Sequence, residues 1–252
     1  MSDLFMETWG TGTPVVLVHG SLATGREEWE AQQPLAEDGY RLLVLDRRGY
    51  GRSPAAEGED FLRDAEDIAD IMDDGAHLVG HSYGGLGAMV AASRRPEATL
   101  SLALLEPPVF SLAQGNEAVR TIADRLRGLL RDEDRPDKEW VLGFLQAVGT
   151  DPSTLPPGLI DEVAPLVPML RRGRTPWDTE LPLSELASTG FPKLVVTGGH
   201  NPGFDAVCDE LADRIGAARA VVEGAGHEIQ LTGKPINDVL LDLWHQASLL
   251  AG

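Results

Sequence analysis

The sequence "LVGHSYGGLGAMVAA", residues 78–92, joins a short apolar run to a segment of small residues. At the junction, Gly80-His81-Ser82-Tyr83-Gly84 matches the pattern G-x-S-x-G. Between a buried strand and a helix, this pattern forms a sharp turn that exposes the Ser hydroxyl, and its glycines relieve the crowding. The context therefore predicts that Ser82 is a nucleophile. The alternative is a Gly-rich turn in which Ser82 only caps the helix that follows.

Six segments rich in Val or Leu are predicted strands. They comprise residues 14–20, 41–49, 76–82, 100–108, 191–199 and 218–226. Apolar runs without polar alternation are typical of parallel strands that are buried on both faces. Because amphipathic helical patterns lie between them, the sequence predicts an α/β protein with a mostly parallel, doubly wound sheet. One such pattern spans residues 60–75, and we expect its solvent-exposed face to carry Asp64, Asp67, Asp70 and Asp74.

Residues 109–189 interrupt this alternation. They contain helical patterns and proline-rich connections, and no segment among them has convincing strand character. Pro residues end helices and order turns, so this segment is predicted to be a set of short helices. We therefore expect an inserted helical cap at residues 109–189, over the end of a core formed by residues 1–108 and 190–252.

A nucleophilic serine needs a base, and His227 has the most suitable position among the six histidines. It stands in "VVEGAGHEIQ", residues 221–230, where two glycines separate it from a strand end. A loop of this kind can carry an imidazole over the edge of the sheet towards Ser82, although an exposed loop histidine is the alternative. We expect His19 to brace its own loop and His81 to point away from the turn. His77 and His245 are predicted to be structural.

Four motifs in this order resemble the α/β-hydrolase superfamily over nearly the whole chain. They are "VVLVHGS" (15–21), "DRRGYGRS" (46–53), "GHSYGG" (80–85) and "GAGH" (224–227). The resemblance implies the α/β-hydrolase fold, with Ser82 as nucleophile and His227 as general base. It also implies an oxyanion hole made by the backbone N–H groups of Tyr83 and Ser21. Leu22 is the alternative to Ser21 as the second donor.

The acid of the triad is the open question in this sequence. The family pattern most often places it after the strand "KLVVTG" (193–198), about where Asn201 stands, and an amide cannot balance the charge of an imidazolium. Glu106 ends the preceding strand, and some branches of the superfamily, including part of the haloalkane dehalogenases, take their acid from that strand. We therefore predict Glu106 as the acid, with Asp205 as the rival that a loop could bring within reach.

These residues predict a serine hydrolase of the esterase type, acting on a small or medium, largely apolar ester, lactone or thioester. We expect no cofactor and no metal, since no His, Cys and carboxylate group has metal-ligand spacing. One alternative is a non-hydrolytic enzyme of the same fold, such as a cofactor-free oxygenase, a lyase or a haloperoxidase-like protein. Another is a ligand-binding pseudo-hydrolase, which Asn201 favours. Ser82 disfavours epoxide hydrolase and dehalogenase chemistry, because those relatives use Asp as nucleophile.

The substrate pocket is only weakly indicated. Apolar residues of the predicted cap can line a pocket or belong to a core, namely Trp140, Phe144, Met169 and Trp177. A basic cluster, Arg171, Arg172 and Arg174, is either a solvated helix end or a dock for a carboxylate or phosphate.

The formal net charge of −19 disfavours binding to nucleic acids and to anionic membranes. A small-molecule substrate is therefore the expected partner, and a homo-oligomer is possible. The single cysteine, Cys208, falls in a helical pattern and is expected to be a buried structural thiol. The N-terminal segment has no basic region followed by an apolar run, so we expect a cytoplasmic protein.

Overall fold

The computed structural model describes residues 2–177 and 180–251, and its centre is a seven-stranded sheet. The strands are β1 (Met6–Trp9), β2 (Thr13–Val18), β3 (Tyr40–Leu45), β4 (Ala76–His81), β5 (Thr99–Leu105), β6 (Lys193–Thr197) and β7 (Ala218–Val221). Their order across the sheet is β1-β3-β2-β4-β5-β6-β7. Strands β2 to β7 run parallel, and β1 pairs antiparallel with β3. The predicted α/β fold with a mostly parallel sheet is confirmed.

Helices cover both faces of the sheet. They are α1 (Gly25–Trp29), α2 (Phe61–Ile71), α3 (Ser82–Arg94), α4 (Glu117–Arg131), α5 (Asp137–Val148), α6 (Leu159–Val163), α7 (Val167–Arg172), α8 (Leu183–Ala187), α9 (Pro202–Ile215) and α10 (Lys234–Ala251). Successive residues of a strand point to opposite faces. Val15 of β2 accordingly packs in a core with Trp29 and Trp244, whereas Val16 packs in a second core with Leu86 of α3. The sheet is therefore doubly wound.

The first strand, Met6–Trp9, is absent from the sequence prediction. It has only four residues, and all of them are half-buried or exposed. It forms an edge of the sheet and pairs through backbone hydrogen bonds with β3. An edge strand of this length carries no apolar run, so its existence depends on the exposed edge that β3 offers rather than on its own composition.

Every helix or strand described between β5 and β6 is a helix, from α4 to α8. Helix α4 packs closely against α9. A Cβ added at Gly203 of α9 would lie only 2.5 Å from Cδ1 of Ile122 in α4. The helical character of this segment is as predicted, and its behaviour as a separate cap with boundaries at 109 and 189 stays a prediction. Within residues 2–177 and 180–251, no helix is long and apolar enough to cross a bilayer.

The expectation that the acidic face of α2 is exposed is wrong for two of its members. Asp64 and Asp67 are 4% and 2% exposed. Asp64 accepts a hydrogen bond from Arg47 (3.0 Å), and Asp67 accepts one from Arg48 (2.6 Å). Helical periodicity does not reveal these partners, because both arginines come from the loop after β3. A buried charge is stable only when such a partner compensates its desolvation.

The start of α3 presses directly on the end of β2. A Cβ at Gly84 would overlap the backbone carbonyl oxygen of His19, and it would also lie 2.7 Å from that of Val18. Both obstacles are backbone atoms, so they cannot rotate away as a side chain would. Glycine at position 84 therefore permits the close approach of helix and strand.

This contact predicts opposite effects for two glycine substitutions in helices. Gly84→Ala should lower the free energy of unfolding by about 1–3 kcal/mol, because the added methyl forces the backbone apart. Gly128→Ala in α4 is the matched control, since a Cβ there meets no atom within 4 Å. It should raise the free energy of unfolding by about 0.5–1 kcal/mol through helix propensity. Urea unfolding of both variants measures the difference, and equal effects would contradict the packing described.

Candidate active site

Ser82 stands at the corner between β4 and α3. Its φ is +48°, a left-handed conformation that is strained for a residue with a side chain. Gly80 allows the turn, because a Cβ there would lie 2.7 Å from the Cα of Gly85. The Ser82 side chain is buried against the core and borders a pocket. The corner thus holds a hydroxyl group at the carboxyl edge of the parallel sheet.

Two further predicted residues meet Ser82 at this edge. His227 Nε2 lies 3.1 Å from Ser82 Oγ, and His227 Nδ1 lies 2.7 Å from Glu106 Oε2. Glu106 immediately follows β5, is fully buried, and also has a positive φ, of +44°. Serine, imidazole and carboxylate therefore form one continuous chain of hydrogen bonds.

The surroundings of Glu106 favour its ionised form. Burial on its own would raise the pKa of this carboxyl group. Contacts with His200 and His227, and the hydrogen bond from the backbone N–H of Gly198 (2.8 Å), outweigh burial and lower the pKa to about 2. A negative charge consequently lies next to the Nδ1 side of His227 throughout the neutral range.

The two residues that compete with Glu106 in the sequence lie elsewhere. Asn201 caps the N-terminus of α9, where its side chain accepts a hydrogen bond from the N–H of Gly203 (2.9 Å). Asp205 lies in the first turn of α9, with a carboxylate oxygen 3.6 Å from Arg219. His227 contacts Glu106 and not Asp205.

His200 is a member of this site to which the sequence analysis assigns no role. Its Nε2 donates to the carbonyl oxygen of Val148 (3.1 Å), and its Nδ1 lies 3.4 Å from Glu106 Oε1. Burial acts to lower the pKa of this imidazole, but Glu106 outweighs that effect and raises it. Glu106 thus lies between two histidines. The only signal in the sequence was that His200 follows the strand next to Glu106.

The loop after β2 supplies the other side of the site. Gly20 is so close to the corner that a Cβ there would lie 3.1 Å from the Cβ of Ser82. Tyr83 is the second residue of α3, where a backbone N–H has no acceptor within the helix. Ser21 and Leu22 are the two candidates on this loop for the partner of Tyr83 in an oxyanion hole, and the choice between them stays a prediction.

A buried cation compensates the acidic residues behind this loop. The Ser21 hydroxyl donates to Glu59 (2.8 and 3.0 Å), and Glu59 in turn accepts hydrogen bonds from Arg47 (2.5 Å) and Tyr50 (2.6 Å). Arg47 also contacts Asp64. Burial is the main reason that the pKa of Asp64 rises to about 6, and nearby Glu59 adds to it. Arg47 faces both carboxylates and compensates one of their two negative charges.

The remaining histidines and the cysteine lie where the sequence predicts. His19 donates from Nδ1 to the carbonyl oxygen of Gly20 (2.7 Å) and accepts from the N–H of Arg47 (2.8 Å), so it braces its loop. Burial and Arg47 hold the pKa of His19 well below its usual value. His77 is buried in the core and His245 is exposed on α10. Cys208 is fully buried, and burial raises the pKa of its thiol.

A mostly apolar pocket opens above Ser82. Its volume is about 630 Å³ including the mouth. Trp140 and Phe144 stack with ring centroids 5.4 Å apart, and Trp177 lies on the same lining. Met169 does not line the pocket, because its sulfur packs against Gly49 instead. Three of the four predicted apolar residues therefore face the candidate site.

The predicted arginine cluster does not converge on one point. Arg171 donates to the backbone carbonyls of residues 132 and 135, and Arg172 donates to that of residue 57. Arg174 pairs with Asp60 (2.6 Å). The geometry therefore favours the simpler interpretation, in which the three side chains tie the end of α7 to its neighbours.

One group of described residues has ligand atoms close enough to hold a metal ion. Glu106, His200 and His227 each offer an atom within 4.8 Å of the others. Two of these three already form the hydrogen bond next to Ser82, so a metal ion would have to replace the proton between them.

Comparisons with known proteins show the family to which the chain belongs. The model of a family described as "Alpha/beta hydrolase family" matches residues 15–239. A non-heme chloroperoxidase of Kitasatospora aureofaciens is 32% identical over 157 residues, which is 58% of this chain and 57% of that protein. A bifunctional esterase/perhydrolase of Acinetobacter calcoaceticus is 32% identical over 124 residues, 45% of each chain. The chain thus spans about half the length of these curated relatives.

A solved structure extends the likeness to nearly the whole chain. An esterase from Exiguobacterium antarcticum superposes with a TM-score of 0.76 at 23% identity, covering 96% of this chain and 95% of that one. At this identity the superposition concerns the fold alone. Because the family model matches most of the sequence, the chain belongs to the alpha/beta hydrolase family.

Proposed function

We propose that this protein is a serine hydrolase that cleaves esters through an acyl-enzyme on Ser82. The observation that carries the proposal is the hydrogen-bonded chain from Ser82 Oγ through His227 to Glu106, at 3.1 and 2.7 Å. It lies at the base of an apolar pocket and at the end of a strained strand-to-helix corner. Membership of the alpha/beta hydrolase family and relatives named as esterases support the same chemistry.

The contacts of His227 define its role in the first step. Ionised Glu106 can only accept a hydrogen bond, so Nδ1 of His227 carries the proton. Nε2 then faces Ser82 with its lone pair and is ready to accept the hydroxyl proton. As it does so, Ser82 Oγ attacks the carbonyl carbon of the substrate, and Glu106 stabilises the imidazolium that forms.

The oxyanion and the leaving group complete the reaction. The backbone N–H groups of Tyr83 and Ser21 stabilise the negative charge of the tetrahedral intermediate. His227 returns the proton to the leaving alcohol, and the acyl group remains on Ser82. Water then attacks the acyl-enzyme with His227 again as base, which releases the acid and restores the serine.

The pocket suggests the class of substrate. Most of its lining is aromatic or aliphatic, while Glu59 and Arg174 border it as charged residues. The acyl or alkyl group next to the carbonyl should therefore be largely apolar. Because residues of α4, α5 and α7 all contribute to its lining, we expect a small or medium ester, lactone or thioester rather than a polymer. The arginines at the end of α7 are engaged by neighbouring groups, which leaves less reason to expect an anionic substrate.

A second candidate reaction uses hydrogen peroxide in place of water. The relatives named as a chloroperoxidase and as a bifunctional esterase/perhydrolase favour it. Attack of peroxide on the acyl-enzyme would release a peracid and regenerate Ser82, and no other residue would change its role. Assaying peracid formation from an ester and peroxide, beside hydrolysis of the same ester, would distinguish the two acceptors.

Replacement of the triad acid tests the proposed function. Glu106→Gln should lower kcat for a p-nitrophenyl ester by on the order of 10⁴-fold, because a neutral amide neither fixes the tautomer of His227 nor balances its charge. Ser82→Ala should abolish the acyl-enzyme. Asp205→Asn is the matched control and should leave turnover close to that of the wild type. A loss confined to Asp205→Asn would show that the acid is misassigned.

Enlarging the pocket should change acyl-chain preference. Phe144→Ala removes a ring from the lining, so longer acyl chains gain room. Each further methylene that becomes buried contributes roughly 0.8 kcal/mol, or about fourfold in kcat/KM. A series of p-nitrophenyl esters of increasing chain length measures this shift. Phe191→Ala, outside the pocket lining, serves as the control, and an unchanged chain-length optimum in Phe144→Ala would argue against an acyl site there.

A further inference from the structure

Glu28 connects two loops of the candidate site although it lies behind them. The side chain of this α1 residue is 4% exposed. Both of its carboxylate oxygens accept the backbone N–H of Gly20 at 3.0 Å, at the start of the loop that carries Ser21. The oxygen Oε1 also lies 3.0 Å from Nδ1 of His81, the residue before Ser82.

His81 carries the connection to a third loop. Its Nε2 lies 3.0 Å from the backbone carbonyl oxygen of His227. Both ring nitrogens therefore face acceptors, a carboxylate on one side and a carbonyl on the other. Only a doubly protonated imidazole satisfies both contacts, since the neutral ring has one N–H.

We propose that the buried Glu28–His81 ion pair is a positioning brace for the three loops around Ser82. It holds the N–H of Gly20, the corner at Ser82 and the carbonyl of His227 in one hydrogen-bonded unit. The inference rests on the proposed function, because positioning matters for catalysis only if Ser82 and His227 react. Neither residue touches the substrate pocket beside Ser82, so their effect reaches the reaction through His227 and the Ser21 loop.

The groups around His81 agree with a charged ring. Glu28 is the closest, and Glu228 lies 3.9 Å from Nε2. The Gln230 amide is 3.4 Å from Nδ1, and the His227 ring is 4.8 Å away between centroids. Two further titratable groups act on His81. One is Glu106, and the other is buried His19, which its low pKa keeps neutral. Three carboxylates thus act on one buried imidazole.

The pH dependence follows from this setting. Burial would lower the pKa of His81, but Glu28 outweighs it and raises the pKa to about 9. A group whose pKa is higher in the folded than in the unfolded protein contributes fully to the free energy of unfolding at a pH below its unfolded-state pKa, which is near 6.5 for histidine. That contribution decreases as the pH rises and is lost by about pH 9. Above that pH, the neutral ring would keep its proton on Nδ1, which faces the Glu28 carboxylate, so the lone pair of Nε2 would face the carbonyl oxygen of His227 and that contact of the brace would be lost.

Glu28→Ala tests the brace in the full-length protein. Removing the acceptor should lower kcat for a p-nitrophenyl ester by on the order of 10²-fold through misplacement of reacting groups, with little change in KM. Glu30→Ala removes the same charge at an exposed position one residue beyond α1 and should match the wild type. Equal kinetics for Glu28→Ala and wild type would overturn the proposal.

The conservative variant separates positioning from simple loss of packing. Glu28→Gln keeps an acceptor for Gly20 but lacks the charge that keeps His81 protonated. Its kcat at pH 7 should therefore lie between that of Glu28→Ala and that of the wild type, and the fall in kcat that we expect near pH 9 for the wild type should move to lower pH. An alkaline limb that is identical in both proteins would contradict the brace.

Nitrogen-15 NMR of the imidazoles provides a readout that needs neither turnover nor a variant that folds. In the wild type, His81 should remain doubly protonated at pH 7.5, and its pKa should lie well above the ordinary value for histidine. A neutral His81 at that pH overturns the proposal, even if the enzyme is active. If His81 is charged and no ester is hydrolysed, the brace stands as a structural feature and the proposed function fails instead.

Discussion

The proposed chemistry of this site depends on the hydrogen bond between His227 Nδ1 and Glu106 Oε2. It is 2.7 Å long and fully buried, and it joins two loops that are 121 residues apart in the sequence. Because Glu106 is ionised, this contact leaves the lone pair of Nε2 facing Ser82. The strained corner at Ser82, the loop that carries Ser21 and the pocket all act on a carbonyl group only if His227 is held in that tautomer.

Other buried carboxylates around the site are also paired with cationic side chains or histidines. Most of the buried carboxylates have a cationic partner, because the desolvation of an unpaired charge is costly. Asp46 instead accepts hydrogen bonds from the backbone N–H groups of Gly25 and Arg52. Arg47 compensates Glu59 and Asp64, His81 pairs with Glu28, and Glu106 lies between His200 and His227. The site therefore combines opposite charges in close contact, in a sequence that is strongly acidic as a whole.

Most of the fold was predictable because it depends on local composition. Apolar runs identified strands β2 to β7, and the glycines around Ser82 identified the corner. The two prolines after Glu106 placed that carboxylate at a strand end, and parallel strands end at the same edge of the sheet. The meeting of Glu106 with His227 thus followed from topology, although their catalytic roles remain a proposal.

The features that sequence reasoning missed depend on distant partners. Strand β1 exists because β3 offers a free edge, and Asp64 is buried because Arg47 arrives from another loop. Met169 fits a helical apolar pattern, but its sulfur fills the space beside Gly49 rather than the pocket. Glu28 looks like any acidic residue in a short helix. Its position against His81 and Gly20 follows only from the packing of three separate segments.

The most direct test of the account is to locate the covalent adduct of a fluorophosphonate by peptide mass spectrometry. The account predicts a single adduct on the peptide that contains Ser82, formed by the wild type and absent from Ser82→Ala. Ser21 lies in the same pocket and should remain unmodified. An adduct on Ser21, or no adduct on a folded wild-type protein, would contradict the claim that Ser82 is the activated nucleophile.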